Sequence, residues 1–166
     1  MREHLRLMVR YNKWANARLI KAITALDEAD YMAARPAFFG SIHGALNHLL
    51  LVDRLWRGRV DGTPYPAKSL DQAVTPDRAT YIRERVNEDD ILISFTDSFD
   101  ADALEQPVTY SSLVGVDGTD KRRVILAHMF NHATHHRGQV HALLTQVPSD
   151  PPPLDLMYYM RETEPK

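Results

Sequence analysis

The chain has no cysteine. That absence excludes disulfides, thiolate metal sites and cysteine nucleophiles together, so any metal must be held by His, Asp or Glu. It has no surplus of charge of either sign: 20 basic residues face 22 acidic ones, for a net charge of −2. A basic footprint for nucleic acid or anionic lipid is therefore missing, and neither is expected as a partner. No apolar run approaches the roughly 18 residues of a membrane span. The opening stretch MREHLRLMVRYNKW mixes charges into its apolar residues where a secretory segment would be apolar throughout. A cytoplasmic protein is expected. At 166 residues, 44% hydrophobic and 25% charged, the chain reads as one globular domain over residues 1–166.

Four long amphipathic segments carry the pattern. The first runs from about residue 3 to 26, with Leu5, Val9, Leu19, Ile23 and Leu26 on a seam of 4–3 spacing in which Asn12 and Asn16 take two places. Residues 27–36 form a connection, and Phe38-Phe39-Gly40 leads into the next helix. This second segment, about 41–58, has Ser41 as N-cap and is apolar almost all round, through Ile42, Leu46, Leu49, Leu50, Leu51, Val52, Leu55 and Trp56. Such a helix is deeply buried or shared with a second copy, and a homodimer is expected. A loop over 60–76 follows, with Thr75-Pro76 reading as N-cap and first turn of a third helix reaching about Ser98. Residues 106–119 favour a small hairpin or irregular loop turning at Asp117-Gly118. The fourth helix spans about 120–146 and is stopped by VPSDPPPLD, after which 154–161 forms a short C-terminal helix. The expected fold is all-α, a four-helix bundle with embellished connections.

Five of the eight histidines lie between His128 and His141. On a helix, His128, His132, His135, His136 and Gln139 share a face about 100° wide, while His141 falls about 220° round, on the far side. Ile125, Met129, His132, His136, Val140 and Leu143 form a core stripe in which two consecutive positions are histidine. Imidazoles at i and i+4 project side by side, and a divalent metal would give both nitrogens a partner. The second helix offers one histidine in the same kind of position, within the seam Ala45, His48, Val52 and Leu55. His43 stands about 140° from His48 and cannot face the same point. His48, His132 and His136 would make a three-histidine site with room for water or substrate. The same pattern also fits core histidines that each make a single hydrogen bond.

Other residues have plain structural readings beside functional ones. Asn12 and Asn16 would line the cavity or fix helix register through buried partners. Arg137 points away from the histidine face and suits a structural ion pair. Gly138 suits close approach by a neighbouring element, and Gln139 suits orienting His135 or His136. Trp14 and Trp56 suit core or dimer surface. Asp53 should face away from His48, and Asp89 and Asp90 should lie on a solvated face.

The segments YNKWANARL (11–19), HGALNHLLLVDRLW (43–56), HMFNHATHHRGQV (128–140) and DLMYYMRE (155–162) together resemble the DinB/YfiT-like family. The resemblance implies a four-helix bundle of up-down-down-up connectivity, often dimeric, with a divalent metal on three histidines that match His48, His132 and His136. It also implies a metal-dependent hydrolase, or a transferase or isomerase working with a low-molecular-weight thiol, acting on a small molecule. Zinc suits the ligand set best, and nickel, iron or manganese would also fit it. An ion there would acidify water or ionise an external thiol, with His135 or His128 as catalytic proton relay. The competing expectation is a binding or structural bundle that the metal only stabilises.

Overall fold

The computed structural model describes residues 1–163. Its elements are α1 (Arg2–Thr24), α2 (Glu28–Met32), α3 (Ile42–Asp61), α4 (Arg78–Asp97), α5 (Ala101–Glu105), β1 (Pro107–Ser111), β2 (Asp117–Lys121), α6 (Arg122–Leu144) and α7 (Leu156–Thr163). The four long helices α1, α3, α4 and α6 are those expected from periodicity. None is long and apolar enough to cross a membrane.

Each long helix packs on two others: α1 on α4 and α6, and α3 on α4 and α6. Side-chain pairs fix the directions. Arg2 donates to the Phe99 carbonyl at one end of α1 while Asn16 meets Asp89 further along, so α1 and α4 are antiparallel. His48 lies beside His136 and Trp56 beside His128, so α3 and α6 are antiparallel too. Asp53 pairs with Arg85 and Arg57 with Glu88, which makes α3 and α4 parallel. Leu5 and Val9 share a cluster with Ile125 and Met129, and Leu19 and Ile23 share another with Val140 and Leu144, so α1 and α6 run together. The connectivity is up-down-down-up.

Ser41 caps α3, its hydroxyl accepting from the Gly44 N–H at 2.9 Å, and Gly62 ends that helix at φ 79°. The cap of α4 differs from expectation. Thr75 is drawn into the core, where its N–H and hydroxyl both donate to Asn47 Oδ1. Asp77 caps instead, accepting from the Thr80 N–H at 2.7 Å, with a charge that also suits the helix N-terminus. The hairpin is present, but Asp117 and Gly118 belong to strand β2, opposite Ser111 and Tyr110. The turn lies at 112–116, where Gly115 takes φ 75°. Gly118 serves the strand differently: a Cβ there would stand 2.9 Å from the tip of the Tyr110 ring. The short helices α2 and α5 have no counterpart in the periodicity, since five residues are too few to show one.

All-round apolar α3 is buried within one chain: Leu46, Leu50 and Leu51 are fully covered by α4, α6 and the segments flanking them. Its composition needs no second copy to explain it. The two apolar clusters are separated by a buried polar waist. Arg85 pairs with Asp53 at 2.7 Å and Asp89 at 3.0 Å. Asp89 accepts from Asn16 at 2.9 Å and Asn12 at 3.4 Å, and Asn12 accepts in turn from Arg137. Asp89 is thus buried rather than solvated, and burial pushes its carboxyl up to about 6 against the pull of Arg85. Only Asp90 is exposed, paired with Lys13. Asn12 and Asn16 serve this waist and not a cavity. Replacing Arg85 by Leu leaves two buried carboxylates without their cation. A loss of about 3–5 kcal/mol is expected in urea denaturation, and a loss below about 1 kcal/mol would show the waist to be solvated or dispensable.

Candidate metal centre

The facing seams of α3 and α6 bring three of the five candidate histidines together. Ring centroids are 4.4 Å apart for His48 and His136, 4.2 Å for His132 and His136, and 5.3 Å for His48 and His132. One nitrogen from each lies within 4.8 Å of the others, so the group could hold a metal ion. His48 and His136 are buried and His132 half-buried.

Hydrogen bonds assign the ring nitrogens. His48 Nδ1 is 2.8 Å from the Leu70 carbonyl, which can only accept, so Nδ1 carries the proton. Its Nε2 is then a lone-pair donor, buried with no hydrogen-bond partner among the described residues. A buried imidazole nitrogen is ordinarily satisfied, and this one faces two more imidazoles. His136 Nδ1 lies 2.8 Å from Gln139 Oε1, which leaves its Nε2 free as well. The Gln139 amide N–H donates to His135 Nε2 at 3.1 Å. Outer partners of this kind fix tautomer and ring direction in histidine metal sites.

All three rings are held neutral. Burial, opposed by the Leu70 bond and aided by His136, lowers His48 to about 4. Burial and then repulsion from the neighbouring histidines lower His132 to about 3. Burial also lowers His136, against the Gln139 bond. Neutral rings present lone pairs, which a cation requires.

Phe39 covers the cluster, stacked on His48 at 3.9 Å and edge-on to His136 at 5.5 Å. Gly44 admits it: a Cβ at that position would meet the Phe39 carbonyl at 2.1 Å. Neither Phe39, Gly44 nor the Leu70 carbonyl is marked as part of a site by the sequence. Phe38-Phe39-Gly40 reads there only as a lead-in to α3, and a backbone carbonyl leaves no mark in residue type. The nearest signal is a glycine in the first turn of an apolar helix.

The remaining candidates separate. His128 is exposed at the end of the stripe, 5.7 Å from His132 and edge-on to Trp56 at 5.0 Å. Partial burial of its ring, and then Arg59, lower its pKa. His135 is exposed beside His136 and engaged by Gln139. His141 lies on the far side of α6 and lines a cleft of about 600 Å³ with Gly138. A Cβ at Gly138 would meet no heavy atom within 4 Å, so this glycine marks open space and not the expected close approach. Arg137 is buried but makes no ion pair among the described residues: its partners are Asn12, Thr134 and the face of Tyr11 at 5.1 Å. His43 is satisfied by Tyr31 and Asn47. Trp14 bonds Glu162 and packs on Tyr159, pinning α7.

Two outcomes follow for the metal-free protein. The folded pKa values of His48 and His132 lie below the ordinary 6.5, so the unfolded chain binds more protons between those limits. Stability should therefore fall as pH drops from 7 toward 4, and His48→Leu with His132→Leu should flatten that slope in urea titrations. An unchanged slope would mean that these rings are solvated. Gly44→Ala should cost about 1–3 kcal/mol by forcing the Phe39 segment off α3, read by the same denaturation; a neutral effect would place the segment elsewhere.

The chain is 26% identical over 163 residues to Protein DinB of Bacillus subtilis (strain 168), an alignment covering 93% of each chain. The family model described as DinB family matches residues 1–166, and the chain belongs to that family.

Proposed function

We propose that the protein is a metal-dependent enzyme acting on a small molecule, with zinc or a similar divalent ion on His48, His132 and His136. The observation that carries this reading is the orphaned His48 Nε2, a buried lone pair aimed at two further neutral imidazoles. Its proton is fixed on the opposite nitrogen by a carbonyl. Among the described residues no carboxylate or fourth histidine joins the group. Three protein ligands leave coordination positions for water or substrate, the pattern of catalytic rather than structural sites. When bound, the ion supplies Lewis acidity that makes a water or an external thiol nucleophilic near neutral pH.

The protein's own groups divide the remaining work. Leu70 and Gln139 hold His48 and His136 in the ligating tautomer. Phe39 shields the buried side of the cluster from water. His135 has its Nε2 engaged by Gln139 and acts by fixing that amide. His128, at the exposed end of the stripe and kept neutral by partial burial and Arg59, is the better-placed proton acceptor for a nucleophile formed beside His132. Hydrolysis and thiol-dependent transfer or isomerisation both use this arrangement, and the absence of cysteine makes the thiol an external one.

Elemental analysis of protein purified without chelator should find about one divalent ion per chain. His48→Ala and His132→Ala should each lower metal affinity by more than the roughly 10–100-fold expected for losing an outer partner, and His135→Ala should retain the ion. If the two ligand variants bind metal as well as wild type, the assignment fails. A hydrolase and thiol-transfer screen of the loaded protein then separates the two reactions.

A further inference from the structure

Beyond the histidines, one face of α3 carries a strip of apolar and aromatic side chains with no assigned role. His48, Val52, Leu55, Trp56 and Arg59 fall within about 100° of one another on the helix. The antiparallel α6 presents His136, His132 and His128 alongside them. The aromatic strip is continuous: His128 is 5.7 Å from His132, Trp56 is 5.0 Å from His128, and Tyr110 is 5.0 Å from Trp56. Val52 and Leu55, on the same face, are buried. The strip ends under the Arg59 guanidinium, which lies 4.4 Å above the Trp56 ring and 5.5 Å from that of Tyr110.

Arg59 differs from the other arginines of α3. Arg54 is tied to Glu84 and Glu88, and Arg57 to Glu88 and Asp61. Arg59 is half-buried with no ion pair among the described residues; only Tyr110 offsets the burial that lowers its pKa. A guanidinium stays charged under such burial, and its fork remains available to an anion. Beside it lies a hollow of about 440 Å³ between the end of α3 and the hairpin, lined also by Thr109, Tyr110 and Ser111. Asp117 at its rim is engaged by the Ser111 hydroxyl.

Resting on the metal-site reading above, we infer that the strip from the three histidines to the hollow at Arg59 is a two-point site for an elongated substrate. Its reactive head is directed to the three histidines, and a carboxylate or phosphate at the other end is gripped by Arg59. Eleven residues of helix separate His48 from Arg59, about 16 Å. The substrate is therefore an extended molecule whose middle lies along His128 and Trp56.

The test uses zinc-loaded protein and linear hydroxamates of graded chain length, ending in a carboxylate, a phosphate or a methyl ester, with binding measured by calorimetry. At the matching length the anionic tails should bind about tenfold or more tighter than the ester, the value of one charge-assisted hydrogen bond. Arg59→Met should erase that preference while leaving ester affinity unchanged. The ratio of carboxylate to phosphate binding names the tail. Equal binding of ester and anion by wild type, or a preference that survives in Arg59→Met, overturns the proposal. Hydroxamates that bind His132→Ala as well as wild type overturn the metal reading instead. Arg59 is read independently in metal-free protein, where suberate should shift the Arg59 Nε–H resonance, identified by its loss in Arg59→Met, and dimethyl suberate should not. No shift with suberate overturns the anion site whatever the metal does.

Discussion

The contact on which the rest of the molecule depends is Arg85 between Asp53 and Asp89. It joins α3 to α4, and the asparagines bonded to Asp89 bring in α1. Arg137 closes the circle from α6 through Asn12. Apolar side chains above and below this layer could slide or rotate at modest cost, because hydrophobic packing has little direction. Ion pairs and hydrogen bonds in a dry interior cannot, since a displaced partner leaves a buried charge. The waist therefore fixes how α3 and α6 are rotated about their own axes. On α3, His48 stands about 140° from Asp53, and on α6 His136 stands about 100° from Arg137. With Asp53 and Arg137 turned inward to the waist, both histidines are turned to each other across the α3/α6 seam. The site is aimed by residues that take no part in it.

The two buried polar groups of this bundle differ in kind. In the waist, both carboxylates have a cation and Asp89 also has two amide donors, while Arg85 Nε and Nη2 and Arg137 Nε make no hydrogen bond among the described residues. In the histidine cluster, the outer nitrogens of His48 and His136 are matched with acceptors, and His48 Nε2 has no partner among the described residues. Leaving a buried polar atom unpaired costs about 1–3 kcal/mol. The unpartnered atoms of the waist are guanidinium N–H groups, which carry positive charge and no lone pair, whereas His48 Nε2 offers a lone pair and so is the one that a cation would use.

The long helices and the grouping of three histidines are legible in the sequence because both follow helical period. Seams at 4–3 spacing locate α1, α3, α4 and α6, and histidine in seam positions singles out His48, His132 and His136. What period does not encode is hidden or misplaced. Asp77 displaces Thr75 as the cap of α4 because Thr75 is claimed by Asn47, a tertiary contact from a different helix. Asp117-Gly118 looks like a turn, but its register is set by Tyr110 lying over Gly118. Asp89 looks solvated beside Asp90 because its cation, Arg85, is recognisable only as an i, i+4 pair that happens to face inward. Leu70 contributes to the site through its backbone and Gly44 through a missing side chain, and neither contribution depends on a pattern of residue types.

The placement of the histidines along α6 also bears on what an occupied site would do to the fold. His132 and His136 sit between Ile125 and Met129 on one side and Val140 and Leu143 on the other, at the level of the waist residue Arg137. That level lies where the two apolar clusters meet on α6, one reaching Phe130 and the other starting at Ala133. A cation bridging His48 to the α6 pair adds a crosslink at that level. An ion that binds only the folded chain stabilises it in proportion to the logarithm of its saturation. The same three side chains would thus couple metal occupancy to the packing of α3 on α6. The waist partners Asp53 and Arg137 lie about 140° and 100° round their helices from His48 and His136.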